Sequence, residues 1–89
     1  MDILKRIANN DNEICGICNE NDEYIIQIHL WNGKVCKLRT VGCKRIFHNT
    51  ELINEFGDIL VDNGLYRFMT VDGEDVILEI SADLLIEAD

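Results

Sequence analysis

The chain has 89 residues with a hydrophobic content of 47%, which fits one small acidic domain over residues 1–89 and excludes a disordered tail. No apolar run approaches the roughly 18 residues of a membrane span, and no secretory signal is visible, so we expect a cytoplasmic protein with reduced cysteines. The net charge of −9 argues against direct nucleic-acid binding.

The charge is distributed unevenly along the chain. Residues 24–50 carry five bases and no acid, whereas residues 51–89 carry eleven acids and one base, Arg67. Two interpretations stay open: acids and bases meet in the folded domain, or an acidic face binds a cationic partner.

The first predicted element is a short amphipathic helix over residues 2–9, with Ile3, Leu4 and Ile7 on one side. A turn signal at residues 9–12 leads into a first strand over residues 13–19, which Gly16 weakens. A second turn at residues 19–22 leads into the central hairpin.

Residues 24–41 form the hairpin around which the domain is organised. A loop of Trp31, Asn32 and Gly33 keeps one face of the hairpin mostly apolar, whereas a two-residue loop would set cations beside the apolar stripe. The predicted pairs are Leu30 with Lys34, Ile28 with Cys36, Ile26 with Leu38 and Tyr24 with Thr40. The opposite face carries Ile25, Gln27, His29, Val35, Lys37, Arg39 and Val41.

A basic connection over residues 43–48, irregular or a short strand, follows the hairpin. The stretch T-E-L-I-N-E-F predicts a central helix over residues 50–56, capped by Asn49 or Thr50 and ended by Gly57. The side chains that would face the core are Leu52, Ile53 and Phe56.

The last third of the chain contains a second hairpin. A loop of Val71, Asp72 and Gly73 joins its strands. The predicted pairs are Thr70 with Glu74, Phe68 with Val76 and Tyr66 with Leu78. Residues 82–88 form either a short helix or a final strand. The elements together predict an α+β domain: an antiparallel meander sheet of five or six strands, open or strongly curled, with a short N-terminal helix and one central helix.

The cysteines offer one candidate metal site. Residues 15–18 read C-G-I-C, the spacing of a zinc knuckle or a redox dithiol, whereas Cys36 is expected in the core. The set that could converge on zinc is Cys15, Cys18, Cys43 and His48. Because a second C-x-x-C is missing, we favour thiols without metal, and no cofactor. Catalytic motifs are missing as well, so we expect no enzyme.

Protein binding is the function that the sequence favours. The carboxylates of the candidate patch are Asp72, Glu74, Asp75, Glu79, Asp83 and Glu87. In size and charge, though in no motif, the chain is similar to phage-encoded inhibitors of host defence nucleases, including anti-CRISPR and anti-restriction proteins, and to uracil-DNA glycosylase inhibitors. That similarity implies a stoichiometric inhibitor whose acidic surface occupies a basic, nucleic-acid-handling partner.

Two other functions stay open at this point. One is a small structural module stabilised by zinc. The other is a single-strand nucleic-acid binder that uses one face of the central hairpin, with Trp31 at its tip; the residues of that face are Gln27, His29, Lys37 and Arg39. A homodimer is compatible with all three.

Overall fold

The computed structural model describes Ile7 and residues 10–88, and the strands of this part form one antiparallel sheet. The strands are β1 (Asn12–Glu20), β2 (Glu23–His29), β3 (Val35–Val41), β4 (Arg45–His48), β5 (Glu55–Asp62), β6 (Leu65–Thr70), β7 (Val76–Ser81) and β8 (Leu84–Ala88). Their order in the sheet is β4-β7-β6-β5-β1-β2-β3-β8. The predicted α+β class is therefore wrong, and the sheet is not the predicted meander of five or six strands.

The predicted central helix over residues 50–56 is replaced by a turn and the start of β5. Asn49 stabilises this turn and caps no helix: its Oδ1 accepts a hydrogen bond from Glu51 N at 3.1 Å. Phe56, however, is fully buried in β5 and pairs with Asn12 of β1. A helix of two turns gains little by itself, so strand pairing and the burial of a phenylalanine override the helix signal.

Three other predicted elements have different outcomes. The N-terminal helix over residues 2–9 lies outside the described residues, apart from Ile7, which is buried in the core. The first strand is confirmed as β1, and the alternative for residues 82–88 is decided in favour of strand β8. Within the described part of the chain, no helix is long and apolar enough to cross a membrane.

The register predicted for the central hairpin is confirmed. The pairs observed in β2 and β3 include Ile28 with Cys36 and Ile26 with Leu38. Leu30 N donates to Lys34 O at 2.7 Å and closes the three-residue loop. Gly33 has a φ of 86°, the left-handed conformation that this loop needs at its last residue.

The register predicted for the second hairpin is wrong. Phe68 pairs with Leu78 and not with Val76. The loop is longer than expected, since Thr70 N donates to the carbonyl oxygen of Asp75 at 2.9 Å. Both registers place apolar residues opposite each other, so the hydrophobic pattern could not choose between them.

The sheet closes on itself because β4 continues β3 and β8 continues β7 after short links. The β3–β8 and β4–β7 pairings therefore belong to one antiparallel ribbon. Across the links, Lys44 N donates to Ser81 O at 2.7 Å and Asp83 N donates to Val41 O at 2.9 Å. The closed ring runs through β1, β2, β3–β4, β7–β8, β6 and β5, and returns to β1.

One hydrophobic core fills the inside of this ring. Register shifts in the β1–β2, β5–β6 and β6–β7 pairings mark β-bulges, which bend the strands and so help the sheet to curl. The largest fully buried side chains include Phe56, Phe68, Ile14, Ile26, Leu38 and Leu78. Burial of each contributes about 1.5–3 kcal/mol relative to exposure.

The two halves of the chain follow one plan. In the first half (β1–β4), β1, β2 and β3 form a meander and β4 crosses to β7; in the second half (β5–β8), β5, β6 and β7 form a meander and β8 crosses to β3. Identical residues recur at the same spacing: Asn12, Glu13, Ile17, Asn21 and Tyr24, then Asn54, Glu55, Ile59, Asn63 and Tyr66. Glu13 pairs with its own equivalent, Glu55, so a pseudo-twofold axis passes between them. This is the pattern of an internal duplication.

Candidate functional site: an acidic groove and a basic face

The carboxylates of the predicted patch lie in separate places. Asp72, Glu74 and Asp75 lie together in the loop between β6 and β7. The other three do not join them. Asp83 lies in the β7–β8 link, 3.4 Å from Lys44 Nζ, and Glu87 lies on β8. Glu79 of β7 lies near two arginines, Arg45 and Arg67. Among the described residues, the three loop carboxylates make no ion pair.

The loop over residues 71–75, here the acidic loop, is held by its own hydrogen bonds. Thr70 Oγ1 donates to Asp72 Oδ1, which also accepts from Glu74 N at 3.0 Å. Asp75 N donates to Thr70 Oγ1 at 3.1 Å. The hydrogen bond from Thr70, followed by the one from Glu74 N, lowers the pKa of Asp72 below its usual value. The carboxylate thus stays ionised under mildly acidic conditions.

Beside the acidic loop lies an open depression of about 500 Å³, which we call the acidic groove. Its carboxylates are Asp11, Glu55, Asp72 and Asp75, and its apolar side chains are Leu52, Ile53 and Val71. Ile53 is 71% exposed and Val71 is 52% exposed, so the groove offers apolar surface to a partner. Among the described residues, no lysine or arginine lines it.

Further acids border the groove on two sides. Asp11 also lines a neighbouring recess together with Asp58. A further recess is lined by Asp11, Glu13 and His29. Glu13 and Glu55 lie directly opposite each other in the β1–β5 pairing, where like charges destabilise a sheet. Within the described chain, neither glutamate forms an ion pair that would relieve this repulsion.

Most residues of the groove were missed from the sequence. Leu52 and Ile53 were assigned to the buried side of a helix, and the structure exposes Ile53 in a turn instead. Asp11 and Glu55 are remote in sequence and meet through the β1–β5 pairing. The repeated dipeptide Asn-Glu at residues 12–13 and 54–55 was the available signal, because equivalent positions of a duplicated sheet can pair across its axis.

The four candidate zinc ligands are not brought together. Cys15 Sγ donates to Gln27 O at 3.4 Å on the outside of the sheet, and Cys43 Sγ contacts Arg45 O at 3.7 Å. His48 Nε2 lies 3.0 Å from Asn54 Oδ1. Among the described residues, no three His, Cys, Asp or Glu side chains are placed to hold one metal ion. The geometry gives the zinc module no support.

A second surface of distinct chemistry lies on the outside of β3 and β8, and we call it the basic face. Its residues are Lys37, Arg39, Leu84 and Ile86. In the described part of the chain, neither Lys37 nor Arg39 forms an ion pair. The arginines around β7, by contrast, do form ion pairs. Arg67 Nε lies 3.4 Å from Glu79 Oε1, and Arg45 Nη2 lies 3.9 Å from Glu79 Oε2.

No protein-family model matches the chain, and neither a search of curated proteins nor a search of solved structures returns a match.

Proposed function

We propose that the protein is a non-enzymatic binding module of the stoichiometric-inhibitor type, whose acidic groove takes a basic segment of a nucleic-acid-handling partner. The observation that carries the proposal is the combination in one groove of four carboxylates and two exposed apolar side chains, with no cation among the described residues of the lining. Such a surface matches a segment that alternates Lys or Arg with apolar residues.

Three features support binding over a purely structural role for these acids. The carboxylates of the groove are unpaired within the described chain, whereas Glu79 and Asp83 elsewhere are neutralised by nearby cations. The acidic loop is rigid through its own hydrogen bonds, so little entropy is lost when a partner orders it. The opposed pair of Glu13 and Glu55 is costly to the sheet, and a bound cation would offset that cost.

The mechanism is electrostatic mimicry. Closely spaced carboxylates present negative charge to a surface that ordinarily holds phosphates, and Ile53 and Val71 add apolar contact that nucleic acid lacks. We expect it to act in the cytoplasm, where its four cysteines, which form no disulfide in the described part of the chain, would stay reduced.

The test compares two matched double variants. Glu55→Lys with Asp75→Lys reverses two charges inside the groove, and Glu20→Lys with Asp62→Lys reverses two exposed charges outside it. Titration calorimetry with a synthetic Lys- and Leu-rich peptide should show at least roughly tenfold weaker binding for the groove variant alone. Affinity capture from bacterial lysate, read by mass spectrometry, should lose the same basic partner.

If the wild-type chain, the groove variant and the variant outside the groove all bound the peptide equally well, the groove would have no part in binding. Weaker binding by the groove variant would not be explained by unfolding. Glu55→Lys turns the like-charge pair with Glu13 into an attractive pair and should leave the domain at least as stable as the wild-type chain.

A further inference from the structure

The basic face becomes clear when the strand pairings around β7 and β3 are compared. Around β7, one row on the outside of the sheet holds Phe47 of β4, Arg67 of β6 and Glu79. The equivalent row around β3 holds Ile86 of β8, Ile25 of β2 and Arg39. The ion pair of the second half is thus replaced by an isoleucine and an arginine that pairs with no described carboxylate.

The surroundings of Arg39 leave the basic face available. Two acids, Glu20 and Glu23, line a small recess together with Arg39 and Ile25. Glu23 is already engaged, since its carboxylate accepts hydrogen bonds from Thr40 Oγ1 at 2.8 Å and from Gly42 N at 3.2 Å.

The same face also offers apolar area beside its cations. Leu84 is 54% exposed and Ile86 is 41% exposed on the neighbouring strand, β8. An arginine next to exposed aliphatic side chains is a common composition for the centre of a protein interface.

The molecule itself carries the complementary surface. The acidic loop presents Val71, 52% exposed, beside three exposed carboxylates. Its hydrogen bonds to Thr70 hold this arrangement before any contact is made. Carboxylates with an apolar neighbour on one surface thus match cations with apolar neighbours on the other.

We propose that two copies of this chain associate, with the acidic loop of one copy docked on the basic face of the other. Val71 contacts Ile86 and Leu84, and the loop carboxylates meet Lys37 and Arg39. This docking rests in part on the function proposed above, because the acidic loop that docks also lines the acidic groove. Self-association therefore covers the groove, and a cationic partner has to displace the second copy.

The net charge sets an unusual salt dependence. Two copies of charge −9 repel each other over long range, and this repulsion is screened within about 10 Å at 0.1 M salt. Contact ion pairs are screened less than separated charges. We therefore expect association to rise from very low to moderate salt and to fall again at high salt, with a dissociation constant on the order of 100 µM.

The experiment uses sedimentation velocity of the full chain from micromolar to near-millimolar concentration. The basic-face variant carries Lys37→Glu and Arg39→Glu, and the loop variant carries Glu74→Lys and Asp75→Lys. Each variant alone should lose at least tenfold in association, and an equimolar mixture should associate again, because each supplies the surface that the other lacks. Thermal unfolding checks that both variants are folded.

Three outcomes would overturn the proposal: a wild-type chain that stays monomeric throughout, a mixture that does not associate, or association untouched by both variants. Saturable binding of a single-stranded oligonucleotide that only the basic-face variant loses would assign the face to nucleic acid instead. Binding of the Lys- and Leu-rich peptide separates the two proposals. If the peptide fails to bind at concentrations where the chain is monomeric, while the copies associate at higher concentration, only the groove function fails. If the peptide binds and the wild-type chain stays monomeric over the whole concentration range, only the docking fails.

Discussion

The first half of the molecule (β1–β4) and the second half (β5–β8) share their strand plan and differ in surface charge. Both turn from their first to their second strand through two residues of positive φ, Asn21 and Asp22 in one half and Asn63 and Gly64 in the other. Both send their last strand across to the opposite half. What is common to the halves is therefore what the closed sheet requires.

The differences between the halves lie at their second hairpin loops and on their outer faces. The loop between β2 and β3 carries Trp31 and Lys34, and its equivalent between β6 and β7 is the acidic loop. The closed sheet thus accepts a basic loop in one half and a longer, acidic loop in the other. Our proposals give these charged residues a role in binding, and we expect the core and hydrogen-bond positions to govern stability.

The largest expected effect tests whether the halves fold together. Ile14 and Phe56 are equivalent, both are buried, and both lie beside the β1–β5 pairing. Phe56 also makes an edge-to-face contact with Phe68, with ring centroids 5.0 Å apart. We expect Phe56→Ala to cost about 4 kcal/mol and Ile14→Ala about 3 kcal/mol in urea unfolding.

Either substitution should shift one transition shared by the whole domain, because both halves line a single core. Two separate transitions, one per half, would show that each half is a folding unit of its own. The exposed and equivalent residues Cys18 and Leu60 supply the control, since Cys18→Ala and Leu60→Ala should each change stability by less than about 1 kcal/mol.

A smaller effect is expected at the equivalent asparagines Asn12 and Asn54. Asn12 is buried, donates to Ile7 O at 2.7 Å and accepts from Trp31 N at 3.2 Å. We expect Asn12→Ala to cost about 2 kcal/mol, because buried backbone groups lose their partner, and Asn54→Ala about 0.5 kcal/mol.

The fluorescence of the single tryptophan gives an independent readout. Asn12→Ala should shift the Trp31 emission, because the loop loses its anchor, whereas Asn54→Ala should leave it unchanged. Equal costs for the two alanines, with no shift, would mean that the buried hydrogen bonds of Asn12 contribute little to the fold.

Local signals predicted the strands well where turn chemistry and pattern agreed. The central hairpin is the best case, since only one loop length kept cations away from Ile26 and Ile28, and Gly33 could adopt the required φ. The second hairpin failed because two registers were both apolar. The central helix failed because Phe56 satisfied a helix pattern and a strand pattern alike, and only long-range pairing with β1 decides between them.

The candidate site was less predictable than the sheet. Asp72, Glu74 and Asp75 are adjacent in sequence, so their proximity needed no fold. The rest of the groove depends on the β1–β5 pairing and on the exposure of Ile53, which no local pattern encodes. The pairing of Glu79 with two arginines likewise follows from β7 lying between β4 and β6.

The smallest expected effect concerns Glu13 and Glu55, through which the two halves meet as identical residues. Glu13 and Glu55 face each other across the pseudo-twofold axis, so replacing either by glutamine removes the same repulsion. We expect Glu55→Gln to stabilise the domain by about 0.3 kcal/mol at low salt, and the gain to vanish at high salt. The double variant with Glu13→Gln should gain no more than the single one, because the pair is already relieved.

Binding should respond in the opposite direction, and this contrast separates a functional pair from an accidental one. Glu55 lines the acidic groove, so Glu55→Gln should weaken binding of the Lys- and Leu-rich peptide several-fold while the fold becomes more stable. A site that keeps a destabilising charge for the sake of a ligand shows this exchange of stability for function. If Glu55→Gln raised stability and left peptide binding intact, the repulsion between Glu13 and Glu55 would be a by-product of duplicating an acidic strand. It would then no longer support a binding function for the groove.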